Sequence, residues 1–154
     1  MTVDPSGHFV YVANHLSNNV SAYAINVKNG ALKQIVGSPF AAGAAPHSVT
    51  VDPTDRFVYV ANHDSNNISA YKINRQSGAL KPISGAPFAA GTGPHGVTVD
   101  PGGHFVYAAN HLSNNVSAYI INTNNGALGE VSGSPFAGLS PLSVTTTASQ
   151  NSQK

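Results

Sequence analysis

The chain has no cysteine and no tryptophan, and only 8% of its 154 residues are charged. Without cysteine there are no disulfides and no thiolate metal centres. An average soluble domain is roughly one-quarter charged, so solubility here falls to Asn (16 residues), Ser, Thr and Gly. The seven Lys and Arg are scattered and the net charge is +1. That leaves no basic stripe for a polyanion, and nucleic acid is not an expected partner. No apolar run approaches the ~18 residues of a membrane span, so no membrane insertion is expected. Carboxylates and guanidiniums are scarce too, with one Glu (Glu130) and two Arg (Arg56 and Arg75).

What the chain has instead is repetition. Thr2-Val-Asp-Pro, Thr50-Val-Asp-Pro and Thr98-Val-Asp-Pro open three copies at a period of 48 residues, and 31 of 48 positions are identical between the first and third. A fixed period of this size marks a repeat architecture whose single unit cannot bury its apolar surface alone. The copies run 2–49, 50–97 and 98–147, followed by a polar tail, 148–154, expected to be disordered. Met1 leads straight into a repeat without a basic-then-apolar leader. Such a start also fits a segment cut from a longer array of repeats.

Within the second copy, Ser48–Asp52 alternates β-branched residues and reads as a strand. Asp52-Pro53-Thr54-Asp55 follows as a turn, with Pro at i+1 and the Asp carboxylate as acceptor at i. Phe57–Asn62 is a second strand, apolar on both faces as a doubly covered sheet requires. His63–Asn67 is a polar turn whose Asn residues tolerate positive φ. Ile68–Asn74 is the third strand, Arg75–Gly78 a hairpin loop, and Leu80–Ile83 opens a fourth strand, with Pro82 pointing to an edge. A Gly/Pro/Ala-rich crossover, Ser84 to Pro94, completes the unit. Four short antiparallel strands and a crossover make a propeller blade, so the expected fold is an all-β, β-propeller chain of three four-stranded blades. No helical periodicity is present, which excludes helical solenoids, and 48 residues is long for a turn of a parallel β-helix.

The segments Tyr11-Val-Ala-Asn14, Tyr59-Val-Ala-Asn62 and Tyr107-Ala-Ala-Asn110 resemble the tetrapeptide of YVTN-type β-propeller repeats. The wider frame (Pro-His-x-Val-x-Val-Asp-Pro, Ser-Asn-Asn-x-Ser-Ala-Tyr, Gly-Ala-Leu, Gly-x-Pro-Phe) is similar to bacterial proteins of the lactonase-like seven-bladed superfamily, which includes 6-phosphogluconolactonase. The resemblance covers almost all of residues 2–147. It implies a propeller fold and, as one alternative, lactone hydrolysis. Lactonase members commonly carry Arg-Gly-His after the second-strand Asn, whereas this chain has His15-Leu-Ser, His63-Asp-Ser and His111-Leu-Ser. On that departure a non-enzymatic binding or scaffold module is the leading expectation, with a purely structural repeat as the third.

Propellers close with about four to eight blades. Three blades leave two apolar faces open, so a homodimer forming a six-bladed ring is expected. The first copy lacks the Pro-His-Ser lead-in of its inner strand, while Ser140–Thr147 resembles Ala45–Val51 once one crossover residue is dropped. The strand 143–147 is therefore expected to complete the partner's first blade.

Candidate ligand positions gather where the crossover and the second-to-third-strand turn open on one face. His47 and His95 end the crossovers, His63 and His111 end the second strands, and counting along the antiparallel pair puts His47 roughly opposite Asn62. His15, His47, Asn62, His63, His95, Asn110 and His111 are thus expected at the channel mouth. No resident cofactor is expected, although His47, His63, His95 and His111 could hold a divalent metal of the Zn, Cu or Ni kind. The plainer alternative makes them strand-end residues bonded to loop backbone. Asp4/His8, Asp52/Arg56 and Asp100/His104 on the other face read as turn stabilisers and cross-strand pairs. Tyr23, Tyr71 and Tyr119 read as packing between blades with the hydroxyl near an edge. Asn19, Asn67 and Asn115 match a glycosylation pattern that the repeat itself generates. An extracellular or periplasmic location is favoured over the cytoplasm.

Overall fold

The computed structural model describes residues 1–146 as three antiparallel sheets built on one plan. The expectations for Thr147 and for the tail 148–154 lie outside the described residues. The first blade comprises β1 (Thr2–Val3), β2 (Phe9–Asn14), β3 (Asn19–Ile25), β4 (Leu32–Gln34) and β5 (Phe40–Ala41). The second comprises β6 (Pro46–Val51), β7 (Phe57–Asn62), β8 (Asn67–Ile73), β9 (Leu80–Pro82) and β10 (Phe88–Ala89). The third comprises β11 (Pro94–Val99), β12 (Phe105–Asn110), β13 (Asn115–Ile121), β14 (Leu128–Glu130) and β15 (Phe136–Ala137). Each fourth strand is broken in two, and both pieces pair with the third strand, as β9 and β10 do with β8. Pro82 sits on this outer edge, where a missing N–H leaves no gap in the ladder.

The three copies share a sequence, but their different neighbours give them different burial. Every residue of β7 is buried, whereas β2 keeps four of its six residues half-buried and β12 buries one face more than the other. Alternation along β7 sends Val58 and Val60 into a core with Tyr11, Val20, Ala22 and Ile35 of the first blade. Phe57, Tyr59 and Ala61 enter a second core with Val97, Val99, Val106 and Ala108 of the third. The chain is thus a stack held by two inter-blade cores. Its open ends keep apolar surface: Phe105 and Phe136 are 37% and 47% exposed, while Phe57 in the middle blade is 1% exposed.

Tyrosine hydroxyls tie the blades at the rim of these cores. Tyr11 donates to the Gly78 carbonyl and Tyr59 to the Gly126 carbonyl, each at 2.9 Å. Tyr71 and Tyr119 likewise reach back to the carbonyls of Ala41 and Ala89 on the preceding blade, as expected for that position. Burial of the phenols raises the pKa of all four, so they stay protonated donors.

The crossovers are pinned by one device. Asn18, Asn66 and Asn114 each adopt φ 54°, and each Oδ1 accepts a backbone N–H from the end of the next crossover: Ala45, Gly93 and Ser140. Ser140 thus stands where Ala45 and Gly93 stand, and all three have positive φ. Beyond it, the His95 ring bonds the Leu142 carbonyl, and Thr146 Oγ1 donates to the Val99 carbonyl at 2.7 Å. Residues 142–146 therefore lie along β11, beside the last blade, where the inner strand of a following blade would begin. They form no strand ladder of their own among the described residues.

Candidate functional site

The first hairpin of each blade is organised by its aspartate. Asp52 Oδ1 accepts the N–H groups of Arg56 (2.7 Å) and Phe57 (2.6 Å), and Oδ2 accepts the Thr54 N–H at 3.1 Å. Asp100 repeats this with His104 and Phe105, and Asp4 bonds the Phe9 N–H. The expected cross-strand pairing of Asp52 with Arg56 gives way to this backbone capping, and the Arg56 guanidinium lies 5.0 Å over the Phe57 ring.

At the opposite end of the strands the second-strand asparagine closes the next turn. Asn62 Nδ2 donates to Asn67 Oδ1 and Ser69 Oγ, both at 2.8 Å, and Asn110 repeats this with Asn115 and Ser117. Both residues are fully buried and hold the turn that carries the next residue. Their Oδ1 atoms have no partner among the described residues.

The histidines follow directly. Pro46 pairs with Asn62 and Ser48 with Ala61, leaving His47 as the extra residue of a β-bulge; His95 occupies the same bulge between Pro94 and Gly96. The residue opposite Asn62 is therefore Pro46, one residue short of the His47 expected there. A bulge re-aims its side chain, and here it turns His47 and His95 toward the histidines after the second strands. Ring centroids stand 4.5 Å apart for His15–His47, 5.0 Å for His47–His63, 4.3 Å for His47–His95, 6.4 Å for His63–His95 and 6.5 Å for His95–His111. All five predicted histidines meet in one row, with His15 and His47 exposed and the other three half-buried.

Two members of the row have their proton placed for them. A carbonyl oxygen only accepts, so the 3.0 Å contact of His95 Nδ1 with the Leu142 carbonyl puts the proton on Nδ1 and the lone pair on Nε2. His63 Nδ1 donates to Asp64 Oδ1 at 2.7 Å, with the same consequence. The hydrogen bond from His63 holds the Asp64 carboxyl below its ordinary value. Partial desolvation by its neighbours, together with the His95, His15 and His63 imidazoles, holds His47 below the ordinary histidine value. In their neutral forms His63 and His95 therefore carry the free lone pair on Nε2. Among the described residues no three His, Asp or Glu side chains are arranged to hold one metal ion.

Asp64 is the carboxylate of this cluster that the repeat frame hides. Its counterparts are Leu16 and Leu112, so only the middle copy couples histidine to carboxylate. That departure from two otherwise agreeing copies is the signal that could have exposed it.

Three antiparallel blades with a polar row at one mouth define part of a β-propeller. The chain matches the family "Lactonase, 7-bladed beta-propeller" over residues 1–90 and 87–146, and it belongs to that family. Among solved structures it is similar to two proteins named "putative 6-phosphogluconolactonase". The one from Bacteroides uniformis has a TM-score of 0.83 at 23% identity, with 92% of this chain and 40% of that one covered. The one from Bacteroides fragilis has a TM-score of 0.84 at 18% identity, covering 92% and 39%. The periplasmic gluconolactonase of Pseudomonas aeruginosa gives 0.78 at 24% identity, covering 90% and 39%. The chain therefore spans about two-fifths of the length of these proteins. Among curated protein sequences none matches it.

Proposed function

We propose that the chain is the site-bearing part of a lactone hydrolase acting on a sugar lactone. Membership of the lactonase family favours this reading over the non-enzymatic module expected from the missing Arg-Gly-His stretch. The observation that carries it is the His63–Asp64 couple at the centre of the histidine row. In this reading Asp64 fixes the tautomer and orientation of His63, leaving Nε2 to take a proton from water as it attacks the lactone carbonyl carbon. The tetrahedral intermediate collapses by breaking the bond to the ring oxygen. The proton on His63 returns to that oxygen, giving the open hydroxy acid with atoms balanced. His47, held neutral, lies 5.0 Å from His63 by ring centroids and is the second acid–base group.

A location outside the cytoplasm accords with the periplasmic gluconolactonase among the similar structures. The exposed ends of the stack call for further blades, and for this chain alone we propose a second copy as their source. The functional reading is tested by hydrolysis of glucono-δ-lactone, followed by acid release against the spontaneous rate. Turnover above buffer that falls by about 10²-fold or more in His63→Gln supports it. Buffer-level rates with the wild-type chain overturn it.

A further inference from the structure

Two charged residues by which the middle copy departs from the other two, Asp55 and Arg75, converge in space. Copies one and three have Gly7 and Gly103 in the first turn, followed by His8 and His104, where copy two has Asp55 and Arg56. The hairpin loop carries Val27 and Thr123 where copy two has Arg75. Asp55 and Arg75 meet in the cleft between the first and second blades, at the end of the strands opposite the histidine row. Together with Asp4, Ser6 and His8 of the first blade they line a pocket of about 210 Å³ floored by Phe9 and Ile73.

The pocket has a defined set of groups to offer. Asp4 is 4% exposed and already occupied by the Phe9 N–H and the Ser6 hydroxyl. Asp55 takes one hydrogen bond, from the Ser6 N–H at 3.4 Å, and holds φ 56° where the other copies use glycine. His8 Nδ1 contacts Ser6 Oγ at 2.9 Å, which leaves its other nitrogen available. Arg75 spends one N–H on the Thr54 carbonyl at 3.1 Å and keeps the rest of its donors. The Phe9 ring is only half-buried. Between the second and third blades the matching cleft has Gly103 and Thr123 in place of both charged groups. There the Arg56 guanidinium covers Phe57, whose ring is buried.

A carboxylate acceptor and a guanidinium donor beside an apolar floor suit a ring with a hydroxyl rim and a C–H face. Each hydroxyl both donates and accepts, which neither a simple cation nor a simple anion does. Arg75 offsets the charge of Asp55, so a cation gains little here, and two carboxylates repel an anion. Burial and the nearby Asp4 raise the pKa of Asp55, which makes it a better hydrogen-bond acceptor. The volume lies below the roughly 300–1,000 Å³ of sites for drug-sized ligands and suits a single small ring. We propose that this cleft is a second binding site, separate from the histidine row, for a neutral polyol of monosaccharide size.

The test is an amide-shift NMR titration of the chain with D-glucose and, separately, with n-butylammonium chloride. Saturable millimolar shifts from glucose are expected at Ser6, His8, Asp55 and Arg75, with none at Arg56, Gly103 and Thr123. Asp55→Gly and Arg75→Thr install residues the other copies already use, so the fold is retained. Each should weaken glucose binding about tenfold or more. His63→Gln should leave the shifts in place. The proposal is overturned if glucose gives no saturable shifts at this cleft or if both cleft variants bind as wild type. It is equally overturned if His63→Gln abolishes binding, or if butylammonium saturates the cleft and glucose does not.

Discussion

Replacing Tyr59 by Phe removes one oxygen from a fully buried ring and leaves the Gly126 carbonyl, 2.9 Å away on the next blade, without its donor. The ring keeps its place in the core, so the loss is that of a satisfied buried polar group, about 1–3 kcal/mol. For a chain of this size each kcal/mol moves Tm by about 2–4 °C, so thermal unfolding followed by circular dichroism should fall by about 2–12 °C. The repeat supplies the control. Tyr107 is the same residue of the third blade, is half-buried, and its hydroxyl has no hydrogen-bond partner among the described residues. Tyr107→Phe should stay within about 0.5 kcal/mol of wild type for the chain alone. Equal losses from Tyr59→Phe and Tyr107→Phe in a monomer, or no loss from Tyr59→Phe, would refute the account of how the blades are tied.

Gly30 and Gly126 occupy the same hairpin position at φ 74° and 79°, but a Cβ on Gly30 meets open space while one on Gly126 lies 2.5 Å from Phe57 Cδ1. Gly30→Ala should cost about 1–2 kcal/mol from backbone conformation alone. Gly126→Ala should add about 1–3 kcal/mol of overpacking, read by urea denaturation. Because His47 is held below the ordinary value of 6.5, the unfolded chain binds more protons between that value and the folded one. Stability therefore falls as pH drops through this window, and the Tm difference between about pH 7.5 and about pH 5 should shrink in His47→Gln. Light scattering should give twice the chain mass of 15.8 kDa if two stacks cover each other's exposed ends; a monomer that unfolds cooperatively would remove the second copy from the account.

Much of the fold was legible because it rests on local chemistry repeated three times. The Asp-Pro turns announced the first hairpin, and the unbroken apolar run Phe57–Ala61 announced a sheet covered on both faces. The positive φ of Asn18, Asn66 and Asn114 followed from the tolerance of asparagine for that region. The histidine row was legible as a gathering, since antiparallel pairing places crossover and turn at one end. The bulge at His47 was not, because an extra residue in a ladder shifts the register without altering composition. Nor was the reach of Tyr59 to Gly126, which depends on how one blade docks on the next. The His63–Asp64 couple and the Asp55–Arg75 pocket were masked by the repeat itself, which draws attention to what is copied. Both lie where the middle copy differs from its neighbours.

In the proposed reaction the departures from the repeat, more than the repeat, mark the chemistry. It is tested most directly by lactone turnover in four chains: wild type, His63→Gln, Asp64→Leu and His111→Gln. His63 and His111 are equivalent in sequence, but only His63 is oriented by a carboxylate. The account predicts a loss of about 10²-fold or more in His63→Gln, roughly tenfold in Asp64→Leu and no more than about threefold in His111→Gln. Equal effects of His63→Gln and His111→Gln, or a wild-type rate no faster than spontaneous hydrolysis, would contradict it.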